Sequence, residues 1–189
     1  LDKFIENGFP NRKLENWKFS DINQIIQQNI GKLSYYNDYS SSNKIDTSIF
    51  IDGLEHNKIF FINGRVEKID FSYEDEEKIE ISTNSKLDNE LNNSNSLIDL
   101  NSAFTNKSYK ILVKKNYSLR KPLIIYHTTN KAVNSKNINL RLEFQLEQNS
   151  SLRLIDIFND NTEKNFINIF YNFDLKKDAI LKNYKIDKR

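Results

Sequence analysis

Cysteine and methionine are both absent from this 189-residue chain, glycine occurs four times and proline twice. Without thiols the segment forms no disulfide and offers no thiolate to a zinc ion or an iron–sulfur cluster. So few glycines leave nothing from which to build a phosphate-cradling loop, and any ATP use belongs to a partner. No Gly-x-Ser-x-Gly nucleophile elbow occurs, and the chain reads as non-enzymatic. No apolar run approaches the ~20 residues of a membrane span, and no charged-then-apolar signal segment opens the sequence. An excess of either charge is also missing. Lys and Arg number 28 against 26 Asp and Glu, for a formal charge of +2. That balance argues against the broad basic face of a nucleic-acid binder. Because the chain starts at Leu1 and contains no Met, it reads as a segment excised from something longer.

The length suits one domain, or one domain with an appendage, and is enough to bury a core. Three regions follow from the patterning: a helical region at 1–35, a linker at 36–56, and a β core from 57 to 189. In the first, Asp2–Glu6 form a short turn stopped by Asn7-Gly8. Asp21 with Gln24 makes a capping box, with Ser20 an alternative cap. Ile22, Ile25, Ile26 and Ile30 then line one face of a helix that Gly31 ends. From about Lys58 the period changes to two. Ile59–Ile62, then Asn63-Gly64, then Val66, Ile69 and Phe71 predict a hairpin with a type I′ turn. Glu74–Glu77 and residues 84–96 read as loops, and Leu97, Leu100, Ala103 and Phe104 as a short amphipathic helix. The second half is nearly all strand: 109–113, 123–126, 140–146, 152–158, 166–175 and 180–186. The segment 166–175 is apolar on both faces over part of its length, so its outer side needs a cover.

An internal repeat sets the expected architecture. Val113-Lys-Lys-Asn116-Tyr-Ser-Leu119, Leu146-Glu-Gln-Asn149-Ser-Ser-Leu152 and Leu175-Lys-Lys-Asp178-Ala-Ile-Leu181 share one pattern, recurring after 33 and then 29 residues. Each copy reads as a strand ending inward, an Asx corner that tolerates unusual φ and ψ, and a strand resuming inward. Stacking such corners yields a solenoid with a continuous apolar column. The predicted fold is therefore mainly β, a parallel β-helix preceded by a small helical region. A β-sandwich with similar corners is the rival.

The densest motif lies near the start. Gly8-Phe9-Pro10-Asn11-Arg12-Lys13-Leu14-Glu15-Asn16-Trp17-Lys18-Phe19-Ser20-Asp21 holds the single Trp, one Pro and one Gly among alternating charges. It resembles the opening signature of the SufD family, scaffold subunits of the SUF iron–sulfur cluster assembly machine, carried here by Pro10, Arg12, Lys13, Glu15, Trp17 and Lys18. Leu100–Phe104, the strand start Lys121-Pro122-Leu123 and the corner Ser150-Ser151-Leu152 extend the likeness. The loops at 36–56 and 74–96 match poorly. The resemblance implies that the parallel β-helix is right-handed and only partial here, about its first half, and that the protein is a non-catalytic scaffold pairing with SufB through β-helix edges and with the ATPase SufC through C-terminal helices beyond this segment. It further implies ATP bound by SufC and a cluster carried by the SufBCD complex as a whole, with no cofactor in this segment. A bacterial cytoplasmic location follows, or a plastid stroma. A SufB-like paralogue is the runner-up within the family, and a carbohydrate-active β-helix protein or secreted adhesin lies outside it.

Other candidate sites read as structural. Trp17 flanked by charge has the composition of a recognition hot spot; the competing reading has Leu14, Trp17 and Phe19 anchoring the helices on the β core. His56 and His127 lack the converging ligands a metal needs. Glu74–Glu77 lacks the spaced oxygens of a calcium loop and reads as solvated. Arg141, Glu143 and Arg153 fit cross-strand charge pairing.

Overall fold

A computed structural model describes residues 1–32, 34–36, 47–84, 95–105, 107–159 and 164–187. The predicted loop at 84–96 lies mostly outside these residues, as does 37–46 of the expected linker. Helix α1 (Asp2–Asn7) and helix α2 (Ile22–Asn29) open the chain, and strand β1 (Ser34–Tyr35) follows. Then come β2 (Asn57–Ile62), β3 (Arg65–Asp70), β4 (Ile79–Asn84) and helix α3 (Ser96–Phe104). The rest is strand: β5 (Ser108–Val113), β6 (Leu123–Thr128), β7 (Lys136–Leu146), β8 (Ser151–Asn159), β9 (Phe166–Leu175) and β10 (Ile180–Asp187).

The fold is mainly β, with a small helical segment at its N-terminus. From β5 to β10 successive strands alternate between two sheets. One sheet joins β4, β5, β7 and β9, with β1 on the first residues of β7; the other runs β10-β8-β6-β2-β3. Pairing is parallel for β5 with β7, β7 with β9, β2 with β6, β6 with β8 and β8 with β10. At one end the sheets are mixed: β3 runs antiparallel to β2, as the predicted hairpin requires, and β4 runs antiparallel to β5, which the parallel winding expected from the repeat did not include. The reversal at β2–β3 comes from Asn63 and Gly64, whose φ values of 52° and 79° are those of a type I′ turn.

The three repeat corners stack. Asn116, Asn149 and Asp178 all adopt left-handed backbone, with φ of 59°, 57° and 56°. Short polar side chains tolerate that region better than other non-glycine residues do. Neighbouring corners are bonded to one another. The Asn116 and Asn149 amides donate to Gln148 and Lys177 carbonyls, and Asn149 Nδ2 donates to Asn116 Oδ1 at 2.9 Å. Before the corners, Val113, Leu146 and Leu175 are in register; after them, Leu152 is in register with Leu181 and lies beside Leu119. Leu119 and Leu152 are buried and Leu181 packs against the same core, which lies between the sheets with Ile59, Phe61, Ile111, Ile125 and Phe144.

Covers complete the layers. Strand β9 is covered on its outer side as its two-sided apolarity requires: Asn101 of α3 donates to the carbonyls of Leu140 and Asn168, and Phe9 meets Phe166 edge-on at 5.9 Å. The segment 47–56 packs rather than merely connecting. Ile49, Phe50 and Ile51 lie on Phe60, Ile124, Tyr126 and Ile157, the outer face of the second sheet. Aliphatic spacing hides that role in the sequence, since three apolar residues in a row carry no period.

Gly64 gives the first prediction. A Cβ there would lie 2.7 Å from Ile138 Cγ2, on a backbone at φ +79°. Gly64→Ala is expected to destabilise the protein by about 1–3 kcal/mol in urea unfolding, combining overpacking with left-handed strain.

Candidate functional site

The opening motif is built as a compact turn. Gly8 ends α1, its amide donating to the Phe4 carbonyl. Pro10 is buried, and its carbonyl accepts from the Ile22 amide at 3.2 Å, tying the motif to α2. Asn11 Oδ1 accepts from the Lys13 amide, and a short 3-10 turn at Glu15–Trp17 follows. Asp21 caps α2 by accepting from the Gln24 amide at 3.0 Å.

Its side chains divide. Pro10 is structural and Trp17 is half-buried, whereas Arg12, Lys13, Glu15 and Lys18 are exposed. Lys18 pairs with Glu15 at 3.3 Å and lies over the Phe19 ring, 5.2 Å from its centroid. Leu14 and Phe19 are 50% and 87% exposed. They do not anchor the helices on the β core, which corrects that reading. Phe4 and Phe9 do the anchoring instead, through Phe166. Along α2 only Ile26 is fully buried, and Ile25 faces outward.

Both histidines are buried. His56 Nδ1 donates to the Leu54 carbonyl, so Nε2 accepts from the Tyr126 hydroxyl at 2.7 Å; that hydroxyl in turn accepts from the Ile51 amide. Burial lowers the His56 pKa, consistent with a neutral ring pinning the 47–56 segment. His127 lies between Phe61 and Phe158, stacked at 5.4 and 4.6 Å. Its Nε2 is 3.2 Å from Asp156 Oδ1 and 3.1 Å from the Tyr171 hydroxyl, which donates to the same Oδ1 at 2.5 Å. Burial, then the Asp156 charge, pushes the Tyr171 phenol pKa far up. This triad ties β6 and β8 to β9 across the interior. The adjoining cavity of about 20 Å³ has room for about one water, too little for a substrate. Its sequence signal is Asp156 itself, a charge at an inward position of the Leu152-x-Leu154-x-Asp156-x-Phe158 alternation.

Glu74 is not solvated as its acidic run suggests; it is 8% exposed. Oε1 accepts from Asn57 Nδ2 at 2.7 Å and the Lys121 amide at 3.1 Å, while Oε2 accepts from the Tyr117 hydroxyl at 2.7 Å and the Arg120 amide at 3.1 Å. Arg141 and Glu143 form an ion pair at 3.2 Å, with the Arg141 guanidinium over the Phe170 ring. Among the described residues no three His, Cys, Asp or Glu side chains converge on a metal position, and no helix is long and apolar enough to cross a membrane.

Neither protein-family models nor curated proteins match this chain.

Proposed function

We propose that the chain is the N-terminal part of a SufD-like scaffold subunit, working without catalysis in iron–sulfur cluster assembly beside SufB and the ATPase SufC. The observation that carries the reading is the Pro10-Asn11-Arg12-Lys13…Glu15-x-Trp17-Lys18 motif, whose charged members face solvent where a partner reaches them. Phe19 and Leu14 beside them add the exposed apolar surface that interface cores use.

The second half is read as the start of a parallel β-helix. Three corners whose Asn or Asp residues share the left-handed backbone, and six strands alternating between two sheets, support that winding. Its mechanical sense is stiffness: backbone ladders and a packed aliphatic column resist deformation, so displacement driven by an ATPase passes through. Among the described residues β9 pairs only with β7 and β10 only with β8, leaving ladder groups suited to a neighbouring strand.

Affinity capture of the full-length protein with SufB and SufC tests this. Both partners are expected in the eluate. A Leu14→Ala, Phe19→Ala double variant should keep its stability within about 0.5 kcal/mol, as exposed substitutions do, while recovering less partner. Loss of neither partner in the double variant would remove the motif from the interface, and failure to capture either with the unaltered protein would end the scaffold reading.

A further inference from the structure

Helix α3 lies on the outer face of the first sheet, and that contact is polar from both sides. The residues α3 buries are Ser96, Leu100 and Asn101, of which only Leu100 is apolar. The bed beneath follows from the alternation of β7. Leu140 and Leu142 face the core between the sheets, so Asn137, Asn139 and Arg141 point the other way. Asn139 is in register with Asn168, whose Nδ2 donates to the Leu97 carbonyl of α3 at 2.8 Å. Asn137 is in register with Phe166, on which Phe9 rests. Ser108, in register with Arg141, continues the same face on β5.

This bed is poorly satisfied. Asn139 is 5% exposed, and among the described residues neither polar atom of its side chain has a hydrogen-bond partner. Asn137 Oδ1 and the Ser108 hydroxyl are buried and unpaired as well. Water would hydrate each of these groups if the face were uncovered, so each favours the uncovered state, by roughly tenfold apiece.

The bonds that oppose uncovering are few. Asn101 Nδ2 donates to the Leu140 and Asn168 carbonyls, Asn168 holds Leu97, and the Tyr35 hydroxyl donates to the Phe104 carbonyl. Phe4, Phe9 and Phe166 add two edge-on ring contacts. Lifting α3 exposes Leu100 and little other apolar surface of the helix, whereas parting the two sheets would expose the whole aliphatic core.

We propose that α3, with α1 packed on it, is a lid that lifts from the outer face of β7 and β9 while both sheets stay folded. The polar row is the reason that the lid opens at low cost. The device belongs to the chain itself and holds whether or not the partners proposed above bind.

Amide exchange on the unaltered full chain, followed at rising urea below the unfolding transition, tests it. The amides of Leu100, Asn101 and Thr105 are expected to exchange at least about a hundredfold faster than those of Leu142 and Phe144, with a much shallower urea dependence, because a lifted lid exposes far less surface than unfolding does. Uncovering of the bed is read by a thiol. The chain has no cysteine, so Asn139→Cys carries a single reactive group. It should react with a thiol reagent at the urea dependence of the α3 amides, whereas Val113→Cys, in the core between the sheets, should react only on global unfolding. Asn139→Leu removes both orphaned groups and should slow α3 exchange by about tenfold or more. The lid is overturned if α3 and β7 amides share one urea dependence, if Asn139→Cys reacts only on global unfolding, or if Asn139→Leu leaves α3 exchange unchanged or faster.

Discussion

Replacing Leu152 by Ala is expected to destabilise the protein by about 2–5 kcal/mol, seen as a lower urea midpoint at unchanged slope. The side chain is 2% exposed and sits at the middle of three stacked corners, in register with Leu181 on one side and beside Leu119 on the other. A cavity there cannot collapse easily, because both neighbouring corners are fixed by backbone bonds, Leu119 N to Ser151 O and Ile180 N to Ser150 O among them. Leu181→Ala supplies the internal comparison. Its side chain is only partly buried, at the edge of the core, so its loss should be clearly smaller. Equal effects at the two positions, or a loss below half a kcal/mol at Leu152, taken against the magnitude above, would mean that the stack does not hold the fold together.

That stack was legible because its physics is local and repeated. An Asx residue followed three positions later by Leu marks each corner, and the strands between corners keep strict alternation, as in Leu140-Arg-Leu142-Glu-Phe144-Gln-Leu146. The Asn63-Gly64 hairpin and helix α3 were legible for the same reason. What stayed hidden depends on distant partners. Strand β4 is six residues long with only Ile79 and Ile81 apolar, beside an Asn- and Ser-rich stretch, and it forms by pairing with β5. The apolar column expected from the stacked corners does not extend along β10, where Asn183, Lys185 and Asp187 stand in register with Leu154, Asp156 and Phe158. The column is dry at its corners and turns polar along β10.

The opening motif shows a different limit. Density of special residues marked it, but composition could not tell an anchor from an exposed surface. Phe9 and Phe19 are the same residue type ten positions apart. One packs on Phe166 and the other is 87% exposed, because the turn after buried Pro10 carries the chain away from β9.

Glu74→Gln is expected to cost about 2–4 kcal/mol despite conserving shape, since an amide cannot accept from all four donors that converge on the carboxylate. Whichever position its NH₂ takes, it meets two donors: Asn57 Nδ2 and the Lys121 amide on one side, or the Tyr117 hydroxyl and the Arg120 amide on the other. The same geometry fixes a pH dependence. Burial alone raises the Glu74 pKa, but the bonds from Asn57, Arg120, Lys121 and Tyr117 outweigh it, and the value falls below the ordinary 4.5. A carboxyl with a lowered folded pKa binds fewer protons folded than unfolded. Its stabilisation is therefore complete above 4.5 and is lost as pH falls through the lowered value. His56 behaves with the same sign at higher pH: its pKa lies below the ordinary 6.5, so its contribution fades as pH drops below that. Urea unfolding across the acid range should then show two successive declines in the unaltered protein. In Glu74→Gln the upper decline should remain while the lower one shrinks, because the charge responsible for it is gone. If the variant keeps the full lower decline, the acid sensitivity belongs to other carboxylates and Glu74 is not the clasp that holds the 117–121 corner to β2.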